Sequence, residues 1–193
     1  MKKIIFAFAF CSLMWTSKAS TTNPVDSKKE EIEVNINLTD VKDDQVLVTV
    51  KAPKIKTDII TYSLPKTVPG TYSVDDYGKY IADFKAYDKK GNLLTVTKTD
   101  ENTWSIHKAK SLVNITYLVN DTYDTEKGRG FGKDDVFSPA GTNIDASKNF
   151  MLNLHGFVGY FQDKKEMPYK VTVTHPETLW GATSMIDKDS SKT

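Results

Sequence analysis

Cysteine is almost missing from this chain of 193 residues: Cys11 is the single one, and it lies in an apolar run near the N-terminus. One cysteine makes no intramolecular disulfide and no thiolate-rich metal site, so stability has to come from packing. Histidine is scarce too. His107, His155 and His175 are far apart in sequence, no two at metal-ligand spacing on one element, and no HExxH is present. A serine nucleophile needs an elbow such as GxSxG, which is also absent. No charge of one sign dominates: 26 basic residues stand against 25 acidic ones. That balance gives no electrostatic reason to bind nucleic acid or an anionic membrane.

Long apolar runs are limited to one, Ile4 to Trp15, shorter than the ~20 residues a membrane span needs. Lys2 and Lys3 precede it, and Ser17-Lys18-Ala19 places small residues where a signal peptidase reads. Residues 1–19 therefore read as a secretory signal peptide cleaved after Ala19. No small-residue lipobox precedes Cys11, which argues against a lipid anchor. Loss of Lys2, Lys3 and Lys18 leaves 23 basic and 25 acidic residues, a mature charge of −2, in a chain without cysteine. The expected destination is the periplasm or the cell exterior.

What is there is mostly strand pattern. Residues 20–30 are polar and contain proline, a disordered lead-in by composition. Ile32, Val34, Ile36 and Leu38 then alternate with polar residues, and Val46, Val48 and Val50 repeat the period after a turn at Asp40 to Asp44. Period two over two such runs predicts a hairpin of half-buried strands. Further strands are predicted at Ile59–Leu64, Tyr80–Tyr87, Leu93–Thr97, Thr103–His107, Leu112–Val119, Phe150–His155 and Tyr169–Thr174. Helical periodicity is limited to a turn or two over Val74–Ile81. Short strands rich in Val, Ile, Thr and Tyr predict an all-β fold, an antiparallel β-sandwich with little helix, over residues 31–186. Residues 187–193 read as a linker or a cut end.

Several features invite a chemical reading and have a plainer one. Gly128-Arg129-Gly130-Phe131-Gly132 lacks the Lys-Ser/Thr of a phosphate loop, so loop glycines account for it better. Asp75-Asp76 and Asp134-Asp135 are adjacent acids, and adjacency alone does not make a catalytic pair, so turn and capping roles are favoured. No catalytic or metal-binding residue is assigned, and no cofactor is expected in the chain itself. Aromatics in loops form a candidate interdomain face: Phe131 and Phe137 in the irregular stretch 120–147, with Phe157, Tyr160 and Phe161 after it. The alternative is that these rings fold back on the sandwich core.

One segment stands out, Leu64 to Tyr72. Pro65 ends a strand because it cannot donate to a ladder. Pro69-Gly70 marks a tight turn, with glycine at positive φ, and Tyr72 is expected to fold back with its ring on the core and its hydroxyl on a backbone group.

These residues also carry a resemblance. Pro65, then Pro69-Gly70-Thr71-Tyr72, then Asp75-Asp76-Tyr77 resemble the opening of the glycyl aminopeptidase family of zinc metallopeptidases. Phe84 to Gly91, the set Asn102, Trp104 and Ile106, Val113 to Val119, Tyr169 to Pro176 and Trp180 to Thr183 follow in the family's order. Thr71 stands where the family has serine. The resemblance covers about residues 31–186 and implies an N-terminal β domain that precedes a thermolysin-like catalytic domain holding zinc. HExxH and the other zinc ligands have no counterpart here. Two readings follow: the non-catalytic N-terminal domain of an exported zinc aminopeptidase, packed on its catalytic domain, or a stand-alone periplasmic module for peptide or glycan.

Overall fold

A computed structural model describes residues 30–122, 136, 140–146 and 148–186. Its strands, in chain order, are β1 (Ile32–Lys42), β2 (Gln45–Lys51), β3 (Ile59–Ser63), β4 (Ile81–Asp88), β5 (Val96–Asp100), β6 (Thr103–His107), β7 (Leu112–Asn120), β8 (Asn143–Asp145), β9 (Asn149–Met151), β10 (Tyr160–Phe161) and β11 (Tyr169–Thr174). The four-residue α1 (Leu154–Phe157) is the α-helix among the described residues, and a 3-10 turn covers Tyr77–Tyr80. No helix among them is long and apolar enough to cross a membrane.

Alternation places the core. In β1 the apolar residues Ile32, Val34, Ile36 and Leu38 are buried, and in β2 so are Val46, Val48 and Val50. The two pair antiparallel with Val34 opposite Val50 and Ile36 opposite Val48, so each cross-strand pair puts both side chains on the core face. The hairpin turn is tighter than the sequence suggested. Lys42 pairs with Gln45, and Asp43 and Asp44 sit at φ 52° and 53° between them. Positive φ at both central residues is the geometry that matches strand twist in a two-residue turn, and aspartate tolerates it better than most side chains.

One sheet has the order β11-β1-β2-β7-β4 and a second the order β10-β3-β6-β5, while β8 and β9 form a small ribbon. The two larger sheets face each other. Tyr62 of β3 and Tyr117 of β7 meet hydroxyl to hydroxyl at 3.0 Å. Phe84 of β4 stacks on Trp104 of β6, 4.7 Å between centroids, and on Tyr117, 5.7 Å away. The fold is therefore an all-β sandwich, as its composition predicts.

Three local departures have physical causes. The β11 strand pairs with β1 in parallel, Val34 with Val171 and Ile36 with Val173, against an otherwise antiparallel sheet. Side-chain alternation reports a buried face and says nothing of strand direction. The strand predicted at 150–155 is cut short. Met151 ends β9, and α1 begins at Leu154, because a short apolar run does not distinguish strand from buried helix. Leu93 makes one isolated bridge to Tyr87, so regular β5 starts only at Val96. The proposed signal peptide, residues 123–135 and 187–193 lie outside the described residues.

Candidate functional site

Pro65 does end a strand, and from there the chain leaves the sandwich in a closed loop. Its neck is backbone. The N–H groups of Asp75 and Asp76 both donate to the Lys66 carbonyl at 2.9 Å, and Tyr77 N–H donates to the Pro65 carbonyl at 3.2 Å. At the tip, Thr71 N–H donates to the Val68 carbonyl at 3.2 Å, its hydroxyl donates to the same oxygen at 2.8 Å, and Gly70 sits at φ 95°. Proline at the second position and glycine at positive φ at the third make a type II turn.

Tyr72 is a correction. It does not fold back: it is 101% exposed, at φ 58°. The left-handed backbone there swings the side chain off the sandwich. The role anticipated for it falls to Tyr77, whose ring is buried and whose hydroxyl lies 3.1 Å from the Ala140 carbonyl and 3.2 Å from Asp75 Oδ2. Burial, and next the neighbouring Asp75 carboxylate, push the Tyr77 phenol above its ordinary value.

Beneath the loop lies a polar anchor that joins Asp75 and Asp76, expected in turn or capping roles, to Asn102, a link the sequence did not reveal. Asp75 is 1% exposed, and its Oδ1 accepts the Ser73 hydroxyl at 2.8 Å. Asn102, also 1% exposed, accepts Gly78 N–H at 2.8 Å and donates to Asp76 Oδ1 at 2.7 Å. Its own N–H donates to Asp100 Oδ1 at 2.8 Å. Gly78 is glycine for space: a Cβ there would come 2.5 Å from Asn102 Cα. The adjacent acids thus serve the loop's neck rather than acid–base chemistry. His155 completes the cluster, its Nε2 2.8 Å from the Ala140 carbonyl and its ring edge-on to Tyr77 at 4.8 Å.

The candidate aromatic face is only partly where it was expected. Phe131 and Phe137 lie outside the described residues, as do the glycines at 128–132 and Asp134-Asp135. Phe157 and Phe161 are fully buried and offer no docking surface; they belong to this domain's own core. Tyr160 is half-buried, with Lys165 Nζ over its ring at 5.1 Å. The rings turn inward because a hydrogen-bonded path holds the segment between the sheets. Tyr117 donates to the Phe157 carbonyl at 2.6 Å, and Gly159 N–H donates to the Tyr62 hydroxyl at 3.0 Å. With Tyr117's proton committed, Tyr62 must be the donor in the Tyr62–Tyr117 bond. Proton direction then runs from Gly159 through both tyrosines to Phe157. Burial raises the pKa of both phenols.

Metal ligation finds no geometry. Among the described residues no three His, Cys, Asp or Glu side chains are grouped to hold an ion. His107 sits on β6, His155 in α1, and His175 beyond β11, where its Nδ1 faces the Pro176 carbonyl at 2.9 Å. A shallow hollow of about 470 Å³ lies over Gln162–Pro168 and Glu30, floored by surface lysines and acids.

The comparisons agree with this picture of a β domain. The chain is similar in fold to the crystal structure of an aminopeptidase N family protein from Idiomarina loihiensis, with a TM-score of 0.61 and 18% identity over 76% of this chain. It spans 22% of that protein's length. No curated protein sequence matches it. The family model described as Peptidase M61 N-terminal domain matches residues 33–193. Covering far more than half of the chain, and agreeing with the motifs around Pro69-Gly70, that match makes this protein a member of the Peptidase M61 N-terminal domain family.

Proposed function

We propose that the chain is the non-catalytic N-terminal β domain of an exported zinc aminopeptidase, packing against and helping to shape a catalytic domain that is not part of this chain. The family match over residues 33–193 carries the reading. Zinc belongs to the catalytic part of such an enzyme. The residues here do not fit it: HExxH is absent from the sequence, and no three-ligand group exists among the described residues. The share of the solved neighbour's length that this fold takes up, 22%, supports a role as one part of a larger protein.

The test is metal analysis after dialysis together with an aminoacyl-substrate assay, on this chain and on the polypeptide in which it precedes a catalytic domain. Zinc and cleavage are expected with the longer polypeptide alone. One tightly held zinc per copy of this chain, or cleavage by it, would overturn the reading. Export has its own check: secreted material should begin at Ser20 by N-terminal sequencing, and material retained in the cytoplasm with Met1 intact would refute it.

A further inference from the structure

Thr67 to Val74 is a stretch of eight uncharged residues in a protein of which 26% is charged. It also carries two exposed apolar side chains. Tyr72 is 101% exposed and Val74 63% exposed. Solvated loops ordinarily carry charge, whereas the centres of protein interfaces shed it and favour tyrosine. The loop is also held in shape. Its neck is tied by three backbone bonds to Pro65 and Lys66, and Asp75 and Asn102 are buried below it with their hydrogen bonds made. Tyr72 is kept at φ 58°, a conformation that disfavours any side chain with a Cβ, so the aromatic is presented outward against the local backbone preference. A preorganised aromatic anchor loses little freedom on docking, the property that makes such residues dominate binding.

We propose that the Thr67–Val74 loop is the knob by which this domain seats on the catalytic domain of its own polypeptide, with Tyr72 as the anchor in an apolar hollow of that domain. The proposal rests on the function proposed above. The catalytic domain is the favoured occupant because the family is that of an N-terminal domain and the same fold makes up 22% of a longer chain in the solved neighbour; on the function proposed above, a covalently tethered surface is then close at hand. Tethering supplies a high effective concentration, so a small uncharged knob suffices where a free partner would need a larger patch.

The experiment compares hydrogen exchange over residues 66–76 in this chain and in the longer polypeptide, each with and without Tyr72→Asn. Asparagine tolerates left-handed φ, so the substitution should leave this chain's denaturation midpoint unchanged or raised. Exchange in the loop is expected to slow at least about tenfold in the longer polypeptide, and Tyr72→Asn should abolish that protection and speed protease cleavage between the domains. A zinc-containing, active longer polypeptide whose loop exchanges as fast as in this chain overturns the proposal while leaving the proposed function standing. Protection that appears only with a substrate analogue overturns it by making the peptide the occupant. Protection in this chain alone that rises with concentration overturns it in favour of a second copy. A longer polypeptide without zinc or activity removes the proposed function and this inference with it.

Discussion

The Tyr62–Tyr117 pair shows how a buried polar group stays harmless when its hydrogen bonds have one direction. Gly159 N–H enters the path and the Phe157 carbonyl ends it, so each phenol is satisfied only while protonated. Tyr62→Phe keeps the ring and leaves the buried Gly159 N–H without an acceptor. A loss of about 1–3 kcal/mol is expected in urea denaturation. The same chemistry sets an alkaline limit. Burial raises the folded pKa of Tyr62, Tyr117 and Tyr169, the last to about 12. Their contribution is therefore complete below the unfolded value of about 10 and is lost as pH rises through the folded values. The urea midpoint should stay flat from about pH 7 to about pH 9 and fall above about pH 10, with a shallower fall in Tyr62→Phe. An equally steep fall in both would place the alkaline lability elsewhere.

At the scale of elements, two glycines separate backbone strain from space. Gly70 lies at φ 95° with open space where a Cβ would go, so Gly70→Ala tests conformation alone. Destabilisation of about 1 kcal/mol is expected, with Gly70→Asn milder. Gly159 has the opposite problem. A Cβ there would lie 2.5 Å from the Ser63 carbonyl and 2.6 Å from Tyr62 Cε1. Gly159→Ala must push β10 off β3 or displace the Tyr62 ring, at a cost of about 1–3 kcal/mol or more. If thermal scans rank Gly70→Ala as the more damaging change, the close approach at Gly159 is wrong. The turn after β4 adds an acid-side counterpart. Asp88 accepts the N–H groups of Lys90 and Asn92 and the Asn92 side chain, which hold its carboxyl below the usual range. That exposed turn is supported at neutral pH and loosens as pH falls through the lowered value.

At the scale of the whole molecule, the sandwich is closed by its last strand. β11 covers the free edge of β1 in parallel, and Ile32 N–H reaches the Pro168 carbonyl at 2.9 Å. Tyr169 adds a bond from its hydroxyl to the Gly159 carbonyl at 3.3 Å. A chain truncated after Pro168 would leave β1 with an unpaired edge beside fully buried Ile32 and Ile36. Such a chain is expected to lose cooperative urea unfolding, or to show a larger midpoint drop than any substitution above. A truncated chain with an unchanged midpoint would make β11 an ornament of the fold. Trp180, Met185 and Ile186 remain exposed beyond it.

Some of this was settled by the order of residues alone. Alternating Val and Ile determined β1, β2 and the core face of the sandwich, since a strand has only two sides and water excludes one. Pro69-Gly70 determined a tight turn, because proline presets the first central φ and glycine accepts the positive second one. The absence of HExxH and the single cysteine determined that no thermolysin-like or cysteine-ligated zinc site resides in this sequence. Tertiary structure decided the rest. It chose Tyr77 over Tyr72 for burial, because the Lys66 carbonyl ties down Asp75 and Asp76 and so fixes which side of the neck meets the core. Phe157 went inward where two tyrosine hydroxyls on opposite sheets hold the backbone at 157 and 159, and Phe161 where β10 pairs with β3. Strand direction at β11 was likewise beyond the pattern of polar and apolar residues, which is the same read in either sense: pairing energy comes from the neighbour a strand finds, and that neighbour lies more than a hundred residues away.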